Sequence, residues 1–216
     1  MARFVSRQDP DWLAPFLGYC HVKTYEKRIV FIRRDEPAVS LYYLVTGSVA
    51  ALIEDEAGRE LTLAYINQGE FIGEMGLFAP QQTRSVTVRT RVECRIAEIA
   101  YAHLIRLLEC ELRDHAIAIL FAIGRQLSAR LRQTSRKASD LAFLDVTGRV
   151  AATLLDLCRQ PDALTHPDGM QIRVTRQELG RIVGCSREMA GRVLKSLEDQ
   201  HFISVSGKAI VVFNTR

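Results

Sequence analysis

Between residues 117 and 141 the core-type positions recur at steps of three and four: Ile117, Leu120, Gly124, Leu127, Leu131, Thr134, Ala138 and Leu141. This is a narrow heptad seam rather than the wide stripe of a helix lying on its own core, and it predicts a parallel two-stranded coiled coil and a homodimer. A helix over about 114–137 would be roughly 35 Å long at ~1.5 Å per residue. Away from the seam it carries Arg125, Arg130, Arg132, Arg136 and Lys137, a basic run that reads as solvated for Arg125 and Arg132. At Thr134 a hydroxyl enters the seam with Ser135 beside it, and an unpaired hydroxyl there costs roughly 1–3 kcal/mol. Two readings stand: Thr134 bonds back to its own helix carbonyl, or the seam hydroxyls hold something polar and removable. Ser139-Asp140 reads as a break and 141–146 as a hinge, with Asp145 capping a helix that Leu154, Leu155, Leu157 and Cys158 continue and Pro161 stops.

Upstream, residues 23–99 read as β. Short apolar runs at 29–32, 41–45, 49–53, 61–66 and 86–89 are separated by turn signals such as Asp35-Glu36-Pro37, Thr46-Gly47, Glu56-Ala57-Gly58 and Asn67-Gln68-Gly69. Many short strands with glycine corners predict a jelly roll or small barrel. A short helix over 12–17 precedes it.

Downstream, Thr175-Arg176-Gln177-Glu178 is a capping box, opening a helix that turns Leu179, Ile182 and Val183 inward and ends at Gly184. Ser186 caps a second helix over 187–200. Two capped helices joined by a short glycine turn form a helix-turn-helix. On the second helix Arg187, Glu188, Gly191, Arg192 and Lys195 share one sector of about 140°, opposite Met189, Ala190, Val193, Leu194 and Leu197. Arginine grips guanine bidentately and glutamate accepts from cytosine, so Glu188 points to base reading, where a helix meant only for phosphate would avoid it. The plainer alternative is a solvated face with an Arg–Glu pair; the two caps and Arg176 and Arg181 near the phosphate path weigh against it. Residues 202–205, Ser206-Gly207 and 209–213 then form the hairpin wing of a winged helix.

Composition narrows the class. The 216 residues suit one large or two small domains, and 48% apolar with 25% charged residues is globular. With 29 basic against 25 acidic residues, net charge says little about nucleic acid; its placement says more. Arg3, Arg7 and Asp9 interrupt any signal peptide, and no stretch nears the ~20 apolar residues of a membrane span. Cys20, Cys94, Cys110, Cys158 and Cys185 include no C-x-x-C pair, which fits reduced thiols in a cytoplasm and argues against a metal module.

The densest chemistry is Gly69-Glu70-Phe71-Ile72-Gly73-Glu74-Met75-Gly76-Leu77-Phe78. Its glycines allow close backbone approach, and a helical turn after Gly73 would aim free N–H groups at an anion. Arg84 and Ser85 follow, a fixed cation and a hydroxyl donor suited to phosphate. Glu74, an acceptor-only carboxylate, makes sense there if it takes a hydrogen bond from a ribose 2′-hydroxyl. Glycines in β-proteins are also mostly corners, and that reading stays open on residue chemistry alone.

The run from Phe71 to Phe78 followed by Thr83-Arg84-Ser85 resembles the phosphate-binding cassette of the cAMP receptor protein (catabolite activator) family of bacterial transcription regulators. The likeness extends to Leu41-Tyr42-Tyr43-Leu44-Val45-Thr46-Gly47-Ser48-Val49, to Leu141-Ala142-Phe143-Leu144-Asp145-Val146-Thr147-Gly148-Arg149, and to Gln160-Pro161-Asp162-Ala163 with His166-Pro167-Asp168-Gly169-Met170. It implies an α+β chain: a cyclic-nucleotide-binding β-roll with its long dimerisation helix over residues 1–140, then a winged helix-turn-helix over 141–216. By the same resemblance Gly73 and Glu74 line the nucleotide site, Arg84 and Ser85 hold the phosphate, and Arg130 reaches in from the long helix. Thr134 meets the adenine amino group, and Ser135 reaches the base from the other subunit. Gly184-Cys185-Ser186-Arg187-Glu188-Met189-Ala190-Gly191-Arg192-Val193-Leu194-Lys195 resembles the recognition helix. There Arg187, Glu188 and Arg192 would touch bases, and Arg176 and Ser186 phosphates. The 160–170 loop would meet the α subunit of RNA polymerase.

Departures exist: Val86-Thr87 stands where a small residue and tryptophan are usual, Ala100 replaces a serine before Tyr101, and the 101–117 segment is longer. A branch of the family answers to cyclic di-GMP, and residues 128–136 resemble that branch too; Ser85 after Arg84 favours cAMP. The expectation is a cytoplasmic, homodimeric, cAMP-responsive regulator of palindromic DNA, acting as activator or repressor. It has no catalytic residues, no metal and no membrane contact. Set against it are a ligand-independent regulator, a redox or gas sensor using Cys20, His21 or Cys94, and a nucleotide-processing enzyme, for which no paired carboxylates or nucleophile–base motif is present.

Overall fold

The computed structural model describes residues 9–79 and 83–215; Arg3 and Arg7 lie outside them. The chain forms two units. The first comprises the chain through Ile53 together with Leu63–Arg132, and the second comprises residues 54–62 and the chain from Gln133 onward.

The first unit begins with α1 (Leu13–Gly18), whose Leu13 and Phe16 are buried. Eight strands follow: β1 (His21–Tyr25), β2 (Val30–Ile32), β3 (Ser40–Thr46), β4 (Ser48–Glu54), β5 (Glu60–Asn67), β6 (Phe71–Ile72), β7 (Thr87–Thr90) and β8 (Cys94–Ala100). They make two antiparallel four-stranded sheets, ordered β1-β8-β3-β6 and β2-β7-β4-β5. The expected strands are all present. β1, β6 and β8, which no apolar run announced, complete the first sheet.

Alternation along β3 explains the layering. Leu44 faces a core shared by both sheets, with Ile32, Val49, Ala51, Ile66, Ile72, Val88 and Ile96. Leu41, Tyr43 and Val45 face the other way, into a second core with Trp12, Phe16, Phe71, Ile99 and the helices. This is the jelly roll the turn pattern predicts, and the β-roll the resemblance implies.

Two helices follow. α3 (Tyr101–Glu109), unannounced in the sequence, buries Tyr101, Leu104 and Leu107. α4 (Arg113–Phe143) is the long helix. It has two apolar faces rather than one. Ile119 and Ile123 are fully buried in the second core, with Leu127 packed beside them. The seam residues Ile117, Leu120, Leu131 and Leu141 are exposed in this single chain, Ile117 and Leu131 at 72% and 69%.

α4 does not break at Ser139-Asp140; it runs on to Phe143. No glycine or proline interrupts it there, and an exposed Ser139 and a half-buried Asp140 cost a helix interior only tenths of a kcal/mol, about 0.5 each. Just beyond it, the Asp145 carboxylate accepts from Gly148 N and caps the start of α5 (Val146–Leu157).

In the second unit β9 (Leu164–His166) and β10 (Gly169–Arg173) make a hairpin within and just after the 160–170 loop. α6 (Arg176–Val183) and α7 (Arg187–Asp199) follow, then β11 (Ile203–Ser206) and β12 (Ala209–Phe213), in a sheet ordered β11-β12-β10-β9. One core serves all of these: Val150 and Leu154 of α5, Ile172, Leu179 and Val183, Ala190, Val193, Leu194 and Leu197, Ile203, Ile210 and Val212. The chain is therefore α+β: a β-roll, a long helix and a winged helix-turn-helix.

Candidate functional site

Gly73 has φ +82°, open to glycine at little cost, and a Cβ there would intrude on Arg84 Nη1 and lie 3.3 Å from the Ser40 carbonyl. The turn delivers the chain into α2 (Met75–Phe78), the short helical turn expected after Gly73, with Glu74 at its N-cap position. Gly76 is needed for a second reason: a Cβ would lie 2.6 Å from the Tyr101 hydroxyl.

Arg84 is a buried cation, 8% exposed. Its backbone is fixed by N–H donation to Glu36 O and by acceptance from Asp35 N. Its guanidinium donates from Nη1 to the Tyr101 hydroxyl at 3.0 Å and from Nη2 to Ser40 O at 2.6 Å, between the rings of Tyr42 and Tyr101. Tyr101 in turn donates to Gly73 O, so the arginine, the tyrosine and the glycine turn form one chain of hydrogen bonds. Burial raises the Tyr101 phenol above its ordinary value, which keeps it a donor.

Glu74 is 3% exposed, and its Oε1 accepts from Arg130 Nη1 at 2.6 Å. Arg130 Nη2 donates to Phe71 O at 2.7 Å. The structure thus gathers Gly73, Glu74, Arg84 and Arg130 around the cassette, with a buried cation and a buried carboxylate among them. Charges this buried are retained where paired and hydrogen-bonded. Ser85, next to Arg84, is exposed. Thr134 and Ser135 are exposed on α4 and belong to the second unit. The helical back-bond weighed for Thr134 is made instead by Ser128, which donates to Gly124 O at 2.9 Å.

Sequence reading missed three contributors. Tyr101 and the Ser40 carbonyl hold Arg84, and Gln126 clasps Phe71 from α4. Only Gln126 left a trace, four residues before Arg130 and so on the same helix face.

In the second unit the two caps form as expected: Thr175 Oγ1 accepts from Glu178 N and Ser186 Oγ from Met189 N, both at 3.1 Å. Gly184 ends α6 in the left-handed region at φ +76°. A Cβ on Gly180 would lie 2.7 Å from Cys185 O, so glycine lets the turn close on α6. Arg176, Ser186, Arg187, Glu188, Arg192 and Lys195 are all exposed, while Ala190, Val193, Leu194 and Leu197 are buried. The space above Gly191 is bordered by Arg176, 3.4 Å from a notional Cβ. A basic, partly acidic face with a low point at Gly191 is shaped for a groove. Also in this unit, Arg181 Nη1 meets Glu60 Oε2 at 3.0 Å. Lys137 donates to Thr62 O, and burial lowers its ammonium below the ordinary value.

Burial pushes the Cys20 thiol up to about 12 and raises Cys94, Cys158 and Cys185 as well, so these sulfurs stay protonated and poorly nucleophilic. Among the described residues no three His, Cys, Asp or Glu side chains gather as a metal site, and no helix is long and apolar enough to cross a membrane.

Residues 22–110 match the family model of the cyclic nucleotide-binding domain, and residues 148–216 that of the Crp-like helix-turn-helix domain. The chain is 54% identical over 207 residues to the cAMP-activated global transcriptional regulator Vfr of Pseudomonas aeruginosa, 94% of each chain. It is 54% identical over 201 residues to the cAMP-activated global transcriptional regulator CRP of Salmonella typhimurium, 93% of each. Among solved structures it is similar to the c-di-GMP responsive global regulator CLP of Xanthomonas campestris. That match has 50% identity and a TM-score of 0.89, covering 96% of this chain and 100% of that one.

Proposed function

The chain belongs to the cAMP receptor protein family of bacterial transcription regulators, which are not enzymes, and from that premise we propose that it is a cytoplasmic, homodimeric regulator whose effector is cAMP. The observation that carries the effector assignment is the buried pair flanking Gly73. Arg84 supplies a fixed cation for a cyclic phosphate, and Glu74 supplies a carboxylate that can accept from a ribose hydroxyl. Tyr101 and Ser40 O use two of the guanidinium's donors and leave the rest for phosphate, which fits an anion entering over Gly73.

Residues 1–140 carry effector binding and dimerisation through the exposed seam of α4, with Thr134 and Ser135 as the base contacts. Ser85 is a hydroxyl donor to the phosphate. From residue 141 the chain reads DNA: Arg187, Glu188 and Arg192 face bases, and Arg176, Ser186 and Lys195 face phosphates and the groove edge. Paired protomers would place two recognition helices ~34–36 Å apart on a palindrome. Effector binding shifts the population toward that arrangement. The 160–170 loop, which includes β9, is the surface for the α subunit of RNA polymerase.

Cyclic di-GMP is the second reading, favoured by the close structural match to a c-di-GMP responsive regulator. Calorimetry with cAMP and cyclic di-GMP side by side, paired with operator binding, decides between them. The expected result is one cAMP per protomer, a cyclic di-GMP affinity at least tenfold lower, and cAMP-dependent operator binding. Tighter binding of cyclic di-GMP, or release from the operator on adding it, would reverse the assignment.

A further inference from the structure

β6 is an edge strand of its sheet, and Phe71 lies at the edge. On the inner side Glu70 O accepts from Leu44 N and Gly69 N donates to Leu44 O, which consumes the groups facing β3. The N–H and C=O of Phe71 therefore point away from the sheet, where an edge strand normally leaves them unpaired. Here Gln126 of α4 meets both. Phe71 N donates to Gln126 Oε1 at 2.7 Å, and Gln126 Nε2 donates to Phe71 O at 2.8 Å. The carboxamide reproduces the pair of bonds that another strand would make. One turn further along, Arg130 takes the second lone pair of Phe71 O and reaches Glu74.

Apart from Arg130, the contact of α4 near Gln126 is apolar: Ile119, Ile123 and Leu127 against Trp12, Phe16 and Phe71. Apolar contact is non-directional and tolerates a small slide of the helix. Two short hydrogen bonds to the backbone of one residue do not, because their strength falls steeply with misalignment. We infer that Gln126 is a positioning residue of the effector response, pinning α4 in register on the strand that carries the effector cassette. The inference rests on the effector reading above. A ligand hydroxyl donating to Glu74 competes with Arg130 for that carboxylate. With Gln126 fixed one turn earlier as a pivot, the change at Arg130 is passed along α4 rather than absorbed by a shift of the whole helix.

The test uses the full chain with Gln126→Met, of nearly the same shape and without either hydrogen bond, and Gln126→Glu, which keeps the acceptor for Phe71 N. Hydrogen exchange at the Phe71 amide is followed without ligand; Gln126→Met is expected to speed it about fivefold to tenfold, as one lost bond predicts, and Gln126→Glu to restore most of the protection. In the same Gln126→Met protein the cAMP dissociation constant stays within about threefold, while cAMP stimulation of operator affinity drops about tenfold, within the span of allosteric couplings. Unchanged Phe71 exchange overturns the pin. Wild-type stimulation in Gln126→Met, or affinity and stimulation falling by one common factor, overturns the positioning role. If the wild-type protein binds its operator equally with and without cAMP, the effector reading fails instead, a result that the ligand-free exchange experiment keeps distinct.

Discussion

Arg130 Nη1 lies 2.6 Å from Glu74 Oε1, with the glutamate side chain 4% exposed and the arginine 22%. A long helix thus places its cation directly on the carboxylate proposed to meet the ribose. Removing one partner strands the other. Arg130→Met is expected to destabilise the protein by about 2 kcal/mol, below the usual figure for a fully buried pair because Arg130 is partly solvated. Glu74→Gln in the same background should recover at least half of the loss. Urea unfolding of the two single variants and the double variant checks this as a cycle.

Arg84 binds through a planar fork gripped by Tyr101 and Ser40. Lysine keeps the charge but cannot hold both partners and a phosphate together. Arg84→Lys should weaken cAMP binding about tenfold or more, equivalent to ~1.4 kcal/mol, while the oligomeric state in sedimentation stays unchanged. Wild-type affinity in a folded Arg84→Lys protein would remove the phosphate role.

On the recognition helix, Glu188 and Arg192 are exposed and project from the polar face of α7. Glu188→Ala should relax selection at one base pair in each half-site. Arg192→Ala should cost about 1–3 kcal/mol on the best sequence and little on random DNA. Selection from a randomised operator pool, followed by anisotropy titrations, reads both effects.

Arg181 is held by Glu60 at 3.0 Å. Glu60→Gln frees a cation beside the helix-turn-helix. Non-specific DNA affinity should rise, and the slope of log affinity against log salt should steepen by up to about one phosphate contact. An unchanged slope across a salt series would show that Arg181 does not reach the backbone.

The buried thiols set an alkaline limit. Cys20 is raised from its ordinary value of 9.0 to about 12, and Tyr42 and Tyr43 from 10.0 to about 12. The folded state holds these protons more tightly than the unfolded one. Their contribution is therefore complete below about pH 9 and is lost as pH climbs from 9 toward 12. Melting temperature should be flat from pH 7 to 9 and then fall. At pH 8 a thiol reagent should modify exposed Cys110 first and the other four slowly.

Much of this was legible in the residues because it rests on local chemistry. The caps at Thr175, Asp145 and Ser186, the glycine at 184 and the glycine-rich cassette are decided within a few positions of chain. What escaped depends on distant partners. β8 carries Cys94, Arg95 and Glu98 and lacks a clean apolar run, yet it is central because β1 and β3 flank it. The seam of α4 drew attention to one face; Ile119 and Ile123 form a second face whose meaning comes only from the sheet beneath them. Tyr101 lies 17 positions from Arg84, and Gln126 lies 55 from Phe71, so neither pairing has a sequence period to reveal it. Ser139-Asp140 reads as a stop on residue type, yet serine and aspartate lower helix propensity only slightly, and α4 runs through them to Phe143.

Gly73 sits in a left-handed turn with Arg84 Nη1 and Ser40 O occupying the space a side chain would need. A side chain is disfavoured there twice, by backbone and by crowding. The turn and the arginine it accommodates are therefore tied: enlarging residue 73 displaces the Arg84 guanidinium before it disturbs anything else nearby.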